Sequence, residues 1–179
     1  MNQDVSRAGS GNISPYISDL EHYAKNSRNV ALEIDNRAQV VVFVLGSEYL
    51  ALQGENVKEI VNEEKIYFVP GVPETILGIV NIRGDIESVI DLGKILDLGT
   101  IAGKSVADKK ILIARSGDYR CGIIVDRLVD VAEIPQNTIH PVEGALKSGF
   151  RDLVRSEFTM GKNTVLMLDM ERIMEKVIL

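Results

Sequence analysis

The sequence predicts a mostly β fold with short helices, and two observations carry this prediction. Short runs of valine, isoleucine and leucine alternate with turns rich in glycine and polar residues, a spacing typical of a small barrel or sandwich. A first series of such runs, between residues 39 and 61, is echoed by a second series between residues 111 and 134. The match of Val57–Ile60 to Val131–Ile134 is short, but with the hairpins that precede each it indicates two related subdomains.

The first series opens with a hairpin. Val40 to Leu45 is an apolar, β-branched run, Gly46-Ser47 is a turn, and Tyr49 to Leu52 is the returning strand. Val57 to Val61 then forms a third strand. Three short strands at this spacing favour a compact β subdomain.

The segment from Pro70 to Leu92, PGVPETILGIVNIRGDIESVIDL, carries the most specific signal. It starts as a loop, since its prolines fix φ, and continues as two strands, Ile76–Ile82 and Ile86–Ile90. Gly84 breaks between the strands, so a hairpin is expected. Arg83 then lies at or near the turn, where a long cation is more easily solvated or paired than buried.

The second series and the C-terminus complete the β pattern. Leu92 to Leu98 predicts a short helix, and Asp169 can cap a final helix with an apolar stripe at i, i+3, i+4 and i+7. The predicted later strands are Ile111–Ala114, Tyr119–Val125, Val131–Ile134, Phe158–Met160 and Thr164–Leu168.

Residues 1–35 form a separate N-terminal tail that precedes a domain spanning residues 36–179. Ser14 can cap an amphipathic helix in this tail, with Pro15 at the first helical position. Its apolar stripe either packs on the chain's own β subdomains or docks a partner.

Composition excludes several functional classes. The net charge is −6 with a pI near 5.0, which argues against binding nucleic acid through its phosphates. No run reaches the roughly 18 apolar residues of a membrane helix, no signal peptide is evident, and one cysteine fits a reducing compartment. These features predict a cytoplasmic protein without direct membrane insertion.

The sequence offers no catalytic or cofactor site. His22 and His140 are far apart and belong to no metal-ligand pattern, and no phosphate-binding glycine loop is present. Cys121 lies in an apolar strand beside Gly122, which favours a packed structural thiol over a nucleophile. We therefore expect no enzyme activity, no cofactor and no metal.

Glu59 and Arg83 are the two charges that interrupt apolar strands. Such an interruption costs desolvation unless the group is paired or reaches the surface. Each could be an ordinary solvated charge at a strand end.

Several motifs in the right order resemble the CheW-like coupling domains, over about residues 38 to 179. Asn81-Ile82-Arg83-Gly84 matches the family's Asn-Leu-Arg-Gly turn, Asp91-Leu92 its strand end, Val57–Ile60 its Val-x-Glu-Ile and Gly122–Asp126 its Gly-x-x-Val-Asp strand. Ser88 stands where the family usually has proline, and charged Asp85 and Glu87 stand where it often has apolar residues.

The resemblance implies two SH3-like five-stranded β-barrels that are intertwined, with N-terminal and C-terminal helices. It implies a non-enzymatic adaptor that couples the cytoplasmic tip of chemoreceptors to the regulatory domain of a CheA-type histidine kinase, recruited to receptor arrays. Glu59 and Arg83 would then form or approach an ion pair on a protein-binding face of the first subdomain. The residues implied at or supporting partner contacts are Val57, Glu59, Gly78, Asn81 and Arg83, with Gly84 and Asp91 as structural positions.

Two alternatives remain open. A CheW-like scaffold could serve pilus motility or another non-flagellar pathway, which the departures at Asp85 and Ser88 and the N-terminal helix favour. A small-barrel hydrolase is the remote alternative.

Overall fold

The computed structural model describes residues 25–26, 36–99 and 108–178, and this part of the chain is dominated by β-strands. The predicted N-terminal helix after Ser14 lies outside the described residues. The elements are β1 (Arg37–Leu45), β2 (Glu48–Gln53), β3 (Val57–Asn62), β4 (Ile76–Ile82), β5 (Asp85–Ile90), α1 (Leu92–Ile95), β6 (Lys110–Ser116), β7 (Tyr119–Val125), β8 (Arg127–Pro135), β9 (Val154–Met160), β10 (Asn163–Leu168) and α2 (Met170–Ile178).

The ten strands form two five-stranded sheets with the same pattern of strand pairing, although the chain passes through the equivalent strands in a different order. Sheet A has the order β8-β1-β2-β10-β9, and sheet B has the order β3-β6-β7-β5-β4. In each sheet one inner pair is parallel, β2 with β10 or β7 with β5, and the other pairs are antiparallel. Sheet B uses the middle of the chain, whereas sheet A combines strands from both sides of it. The predicted mostly β architecture of two five-stranded units is confirmed. The predicted grouping of the strands between Val40 and Val61 in one subdomain is wrong, because β3 pairs with β6 in sheet B.

The two sheets are structural repeats whose register differs from the sequence match. Val41 and Leu112 lie the same number of residues before the two-residue turns of their hairpins, so they are equivalent. Val41 pairs with Val131, and Leu112 pairs with Ile60. A β-bulge interrupts both pairings at the same level. Ile60, and not Val57, is therefore the counterpart of Val131, because strand pairing sets the register.

The strand pairing does not close either sheet into a barrel within the described residues. In sheet B the segment that follows edge strand β3 reaches the opposite edge through one bridge, Tyr67 with Ile79, and in sheet A the segment that follows β8 does so through His140 with Glu157. After Tyr67 the chain runs into Pro70 and Pro73, which have no N–H to extend a ladder. The predicted closed barrels are thus corrected to two sheets whose edges meet at single bridges.

One hydrophobic core joins the two sheets. It takes inward side chains of β1 and β2 from sheet A, most strands of sheet B, and the buried faces of both helices. Asp126 ties the sheets together, since its N–H donates to the Val44 carbonyl (3.1 Å) and its Oδ2 accepts from the Gly46 N–H (2.6 Å). Across the described residues, no helix is long and apolar enough to cross a membrane.

Both helices begin after an equivalent aspartate at the end of a strand. Asp91 Oδ1 accepts from the Lys94 N–H (3.2 Å), and Asp169 Oδ1 accepts from the Glu171 (3.1 Å) and Arg172 (3.3 Å) N–H groups. Each carboxylate satisfies helix donors that have no intrahelical partner. The predicted short helix after Asp91 and the predicted cap at Asp169 are confirmed.

Candidate partner-binding site

The β4–β5 turn presents Arg83 in a conformation that is unusual for its residue type. Arg83 and Gly84 both have positive φ angles, +54° and +99°, which is the pattern of a type I′ hairpin turn. The Gly84 N–H donates to Asn81 Oδ1 (2.8 Å) and holds the turn closed. Asparagine and glycine therefore suit positions 81 and 84, whereas an arginine in the left-handed region costs roughly 1–2 kcal/mol.

Arg83 pairs with Glu59 across the two open edges of sheet B. Glu59 lies on edge strand β3 and Arg83 follows edge strand β4, yet Glu59 Oε1 and Arg83 Nη2 are 2.7 Å apart. A β-bulge between Val57 and Glu59 alters the direction of β3 immediately before the carboxylate. The predicted ion pair is present, and it connects strands that share no backbone ladder.

The pair is accessible and incompletely satisfied. The Arg83 side chain is 81% exposed and that of Glu59 is 29% exposed. Glu59 Oε1 is itself buried and accepts no aligned hydrogen bond from the described residues, so its contact with Arg83 is ionic only. An exposed pair of this kind stabilises a fold by about 0–1 kcal/mol, which does not exceed the backbone cost at Arg83. Stability of the fold does not explain an arginine here.

Sheet A lacks this arrangement at the equivalent position. Its residues matching Glu59 and Arg83 in the repeat are Asp130 and Gly161, and Gly161 has φ +64°. Among the described residues Asp130 makes no ion pair. The equivalent turn position thus has an unstrained glycine in one repeat and a strained, exposed arginine in the other, so the two repeats differ chemically there.

Val57 and Gly78 lie beneath this surface. Val57 is partly buried against the shared core, and Gly78 is buried with φ +145°. A Cβ built on Gly78 would lie 2.2 Å from the Tyr67 carbonyl oxygen, so glycine lets the edge segment approach β4. The structure therefore places these two residues as supports for the turn and the sheet edge, whereas Asn81 and Arg83 are exposed.

Asp91 lies away from solvent. It is fully buried and caps α1, in keeping with its expected structural role, and its backbone N–H donates to the Thr75 carbonyl (2.8 Å). This hydrogen bond holds the C-terminal end of β5 beside the N-terminal end of β4.

A second charged cluster, not anticipated from the sequence, holds the start of β5. Glu87 is buried and pairs with Arg120 on the parallel strand β7, and Asp85 Oδ2 lies 3.6 Å from the same guanidinium. Alternation along β5 places Glu87 on the same face as buried Val89, which was the available signal of burial. Nothing local could identify Arg120, because the pairing joins residues distant in sequence.

Cys121 is a packed thiol rather than a nucleophile. Burial, with a smaller contribution from the negative charge of Glu87, raises its pKa to about 12, and its Sγ lies 3.6 Å from Met174 Sδ. The thiol is therefore protonated at neutral and mildly alkaline pH. In the described part of the chain, no group of three or more His, Cys, Asp or Glu side chains is arranged to hold a metal ion.

We expect Cys121 to react with a disulfide reagent only after unfolding. At pH 8 the native protein should be modified at least about 100-fold more slowly than the protein in guanidinium chloride, because the thiolate is the reactive form. Following absorbance with Ellman's reagent measures both rates. Equal rates would show that the thiol is exposed and ionised in the folded protein.

Comparisons with known proteins identify relatives of this scaffold. Residues 39–177 match the CheW-like domain. The chemotaxis protein CheW of Helicobacter pylori is 30% identical over 166 residues, which cover 92% of this chain and 99% of that protein. The CheW of Thermotoga maritima is 28% identical over 141 residues, covering 78% and 89% of the two chains. The crystal structure of the scaffolding protein TtCheW of Thermoanaerobacter tengcongensis superposes with a TM-score of 0.66 at 31% identity, covering 75% of this chain and 90% of that one.

Proposed function

The chain belongs to the CheW-like domain family, and from this membership we propose that it is the adaptor that joins the cytoplasmic tip of chemoreceptors to the regulatory domain of a CheA-type histidine kinase. Its relatives are chemotaxis and scaffolding proteins, which supports a function in binding rather than catalysis. The adaptor is recruited to receptor arrays from the cytoplasm through these contacts.

The exposed Arg83 at the β4–β5 turn is the observation that best supports a binding function. The arginine adopts a costly backbone conformation and contributes little to stability through its exposed ion pair. A guanidinium held at a turn has donors left for a partner's carboxylate or carbonyl groups. The Glu59 side chain, which is 29% exposed, adds a negative charge to the same surface.

The other site residues serve this surface in two ways. Asn81 closes the turn and is exposed beside Arg83, so it both positions the arginine and can contact the partner. Val57 and Gly78 support the strands that carry Glu59 and Arg83. In a receptor array many adaptor–partner contacts act together. We therefore expect the affinity of this chain for a single partner domain to be modest.

Titration of the purified chain with the regulatory domain of a CheA-type kinase tests the proposal. We expect saturable one-to-one binding with a dissociation constant in the micromolar range, measured by calorimetry. A kinase fragment lacking the regulatory domain serves as the control and should not bind. Absence of heat or of any other binding signal at high micromolar concentration would remove the main support for the adaptor function.

A further inference from the structure

An open groove lies between α2 and the β6–β7 turn. It is lined by residues 116–119 and by one side of α2, and its volume is about 520 Å³. This is within the range of about 300–1,000 Å³ found for small-molecule and cofactor sites.

The floor of the groove is apolar. Tyr119 and Ile178, which are 57% and 53% exposed, line it together with Met174, which packs on Cys121. β5 and β7 are parallel with Val89 opposite Gly122, so Ile86, which is also exposed, lies level with Tyr119 on the neighbouring strand. Three of the six large hydrophobic side chains exposed in the described residues therefore occur at this end of sheet B.

The rim of the groove is acidic. Asp118, Glu171 and Glu175 line it, and no cation of the described residues lies within ion-pair distance of these three carboxylates. Glu171 and Glu175 are four residues apart on one face of α2, where like charges repel each other. A cation supplied from outside would relieve that repulsion.

We propose that this groove docks a short amphipathic helical segment of a partner protein, with large apolar side chains entering between Tyr119 and Ile178 and lysine or arginine side chains meeting the acidic rim. Apolar burial supplies the affinity, and the carboxylates select basic over acidic segments.

A second groove of opposite charge, formed by the β8–β9 connection and the start of β9, offers a comparison. It is lined by Val142, Leu146 and Val154 together with Arg151 and Arg155, neither of which has an ion-pair partner among the described residues. A basic segment should not bind there, because the groove is basic and also less apolar than the first.

The test uses a synthetic helical peptide with a leucine face and a lysine face, titrated into the full ¹⁵N-labelled chain and followed by amide chemical shifts. We expect saturable shifts at residues 116–119 and 171–178 and none around Arg151 and Arg155. A peptide with glutamate in place of each lysine should bind at least tenfold more weakly.

Two variants test where the peptide binds and separate the contribution of charge from that of apolar contact. Glu171→Lys with Glu175→Lys should weaken the lysine peptide at least tenfold and reduce its salt dependence, whereas Tyr119→Ser should weaken both peptides. Tyr119, Glu171 and Glu175 are all exposed. Thermal melts identify any variant that fails to fold. If the double variant fails to fold, the single variants Glu171→Lys and Glu175→Lys replace it. Shifts that map elsewhere, no preference between the peptides, or a dimer that covers the groove and excludes the peptide would each overturn the proposal.

Discussion

Replacing Arg83 with glycine is expected to weaken binding to the kinase regulatory domain by roughly 10- to 100-fold, the effect of losing an interface arginine of central importance. The same change should leave the fold intact, because glycine adopts the φ of +54° without strain and occupies the equivalent position, Gly161, in sheet A. Calorimetric titration gives the affinity, and thermal unfolding monitors the fold. A constant or raised melting temperature together with lost binding would show that Arg83 acts in binding and does not stabilise the fold.

A charge exchange tests whether Glu59 and Arg83 act as a pair. We expect Glu59→Arg and Arg83→Glu each to weaken binding, and the double variant to recover part of the loss if direct pairing positions both groups. Asp130→Lys, at the equivalent position of sheet A, is the matched control and should bind as the unchanged protein does. No recovery in the double variant would argue against direct pairing, and full affinity of Arg83→Gly would place the interface elsewhere.

Replacing Gly78 with alanine should produce the largest loss of stability among the residues of the site. The new Cβ would lie 2.2 Å from the Tyr67 carbonyl oxygen, which is backbone and cannot move like a flexible side chain. The φ of +145° is also unfavourable for any residue with a Cβ. Strain and overpacking together should lower the free energy of unfolding by about 3–4 kcal/mol.

Gly46→Ala is the matched control for this loss. Gly46 also has a positive φ, +63°, but a Cβ there would meet no atom within 4 Å. We expect a loss of only about 1 kcal/mol, from backbone conformation alone. Urea unfolding of both variants measures the difference, and equal losses would show that the contact with Tyr67 is not the cause.

Local patterns predicted most of the secondary structure because they report directly on burial. β-branched runs bounded by glycine turns located the strands around Val40–Leu45, Ile76–Ile82 and Tyr119–Val125. The predicted strands were too short where the strands of the structure carry polar residues. β8 spans Arg127–Pro135 and β9 spans Val154–Met160, both longer than the apolar runs that marked them, because backbone pairing extends past the last apolar side chain.

The sequence by itself determined the type and order of the elements, the turn that carries Arg83, and the relationship to the CheW-like family. Only the tertiary structure decided which strands share a sheet, since sheet A joins strands separated by the whole of sheet B. The clash that requires Gly78 and the pairing of Glu87 with Arg120 follow from that arrangement. The physical reason is the range of the interactions: turns and strand patterns depend on neighbours along the chain, whereas register, edge closure and buried charge pairs depend on segments that meet only after folding.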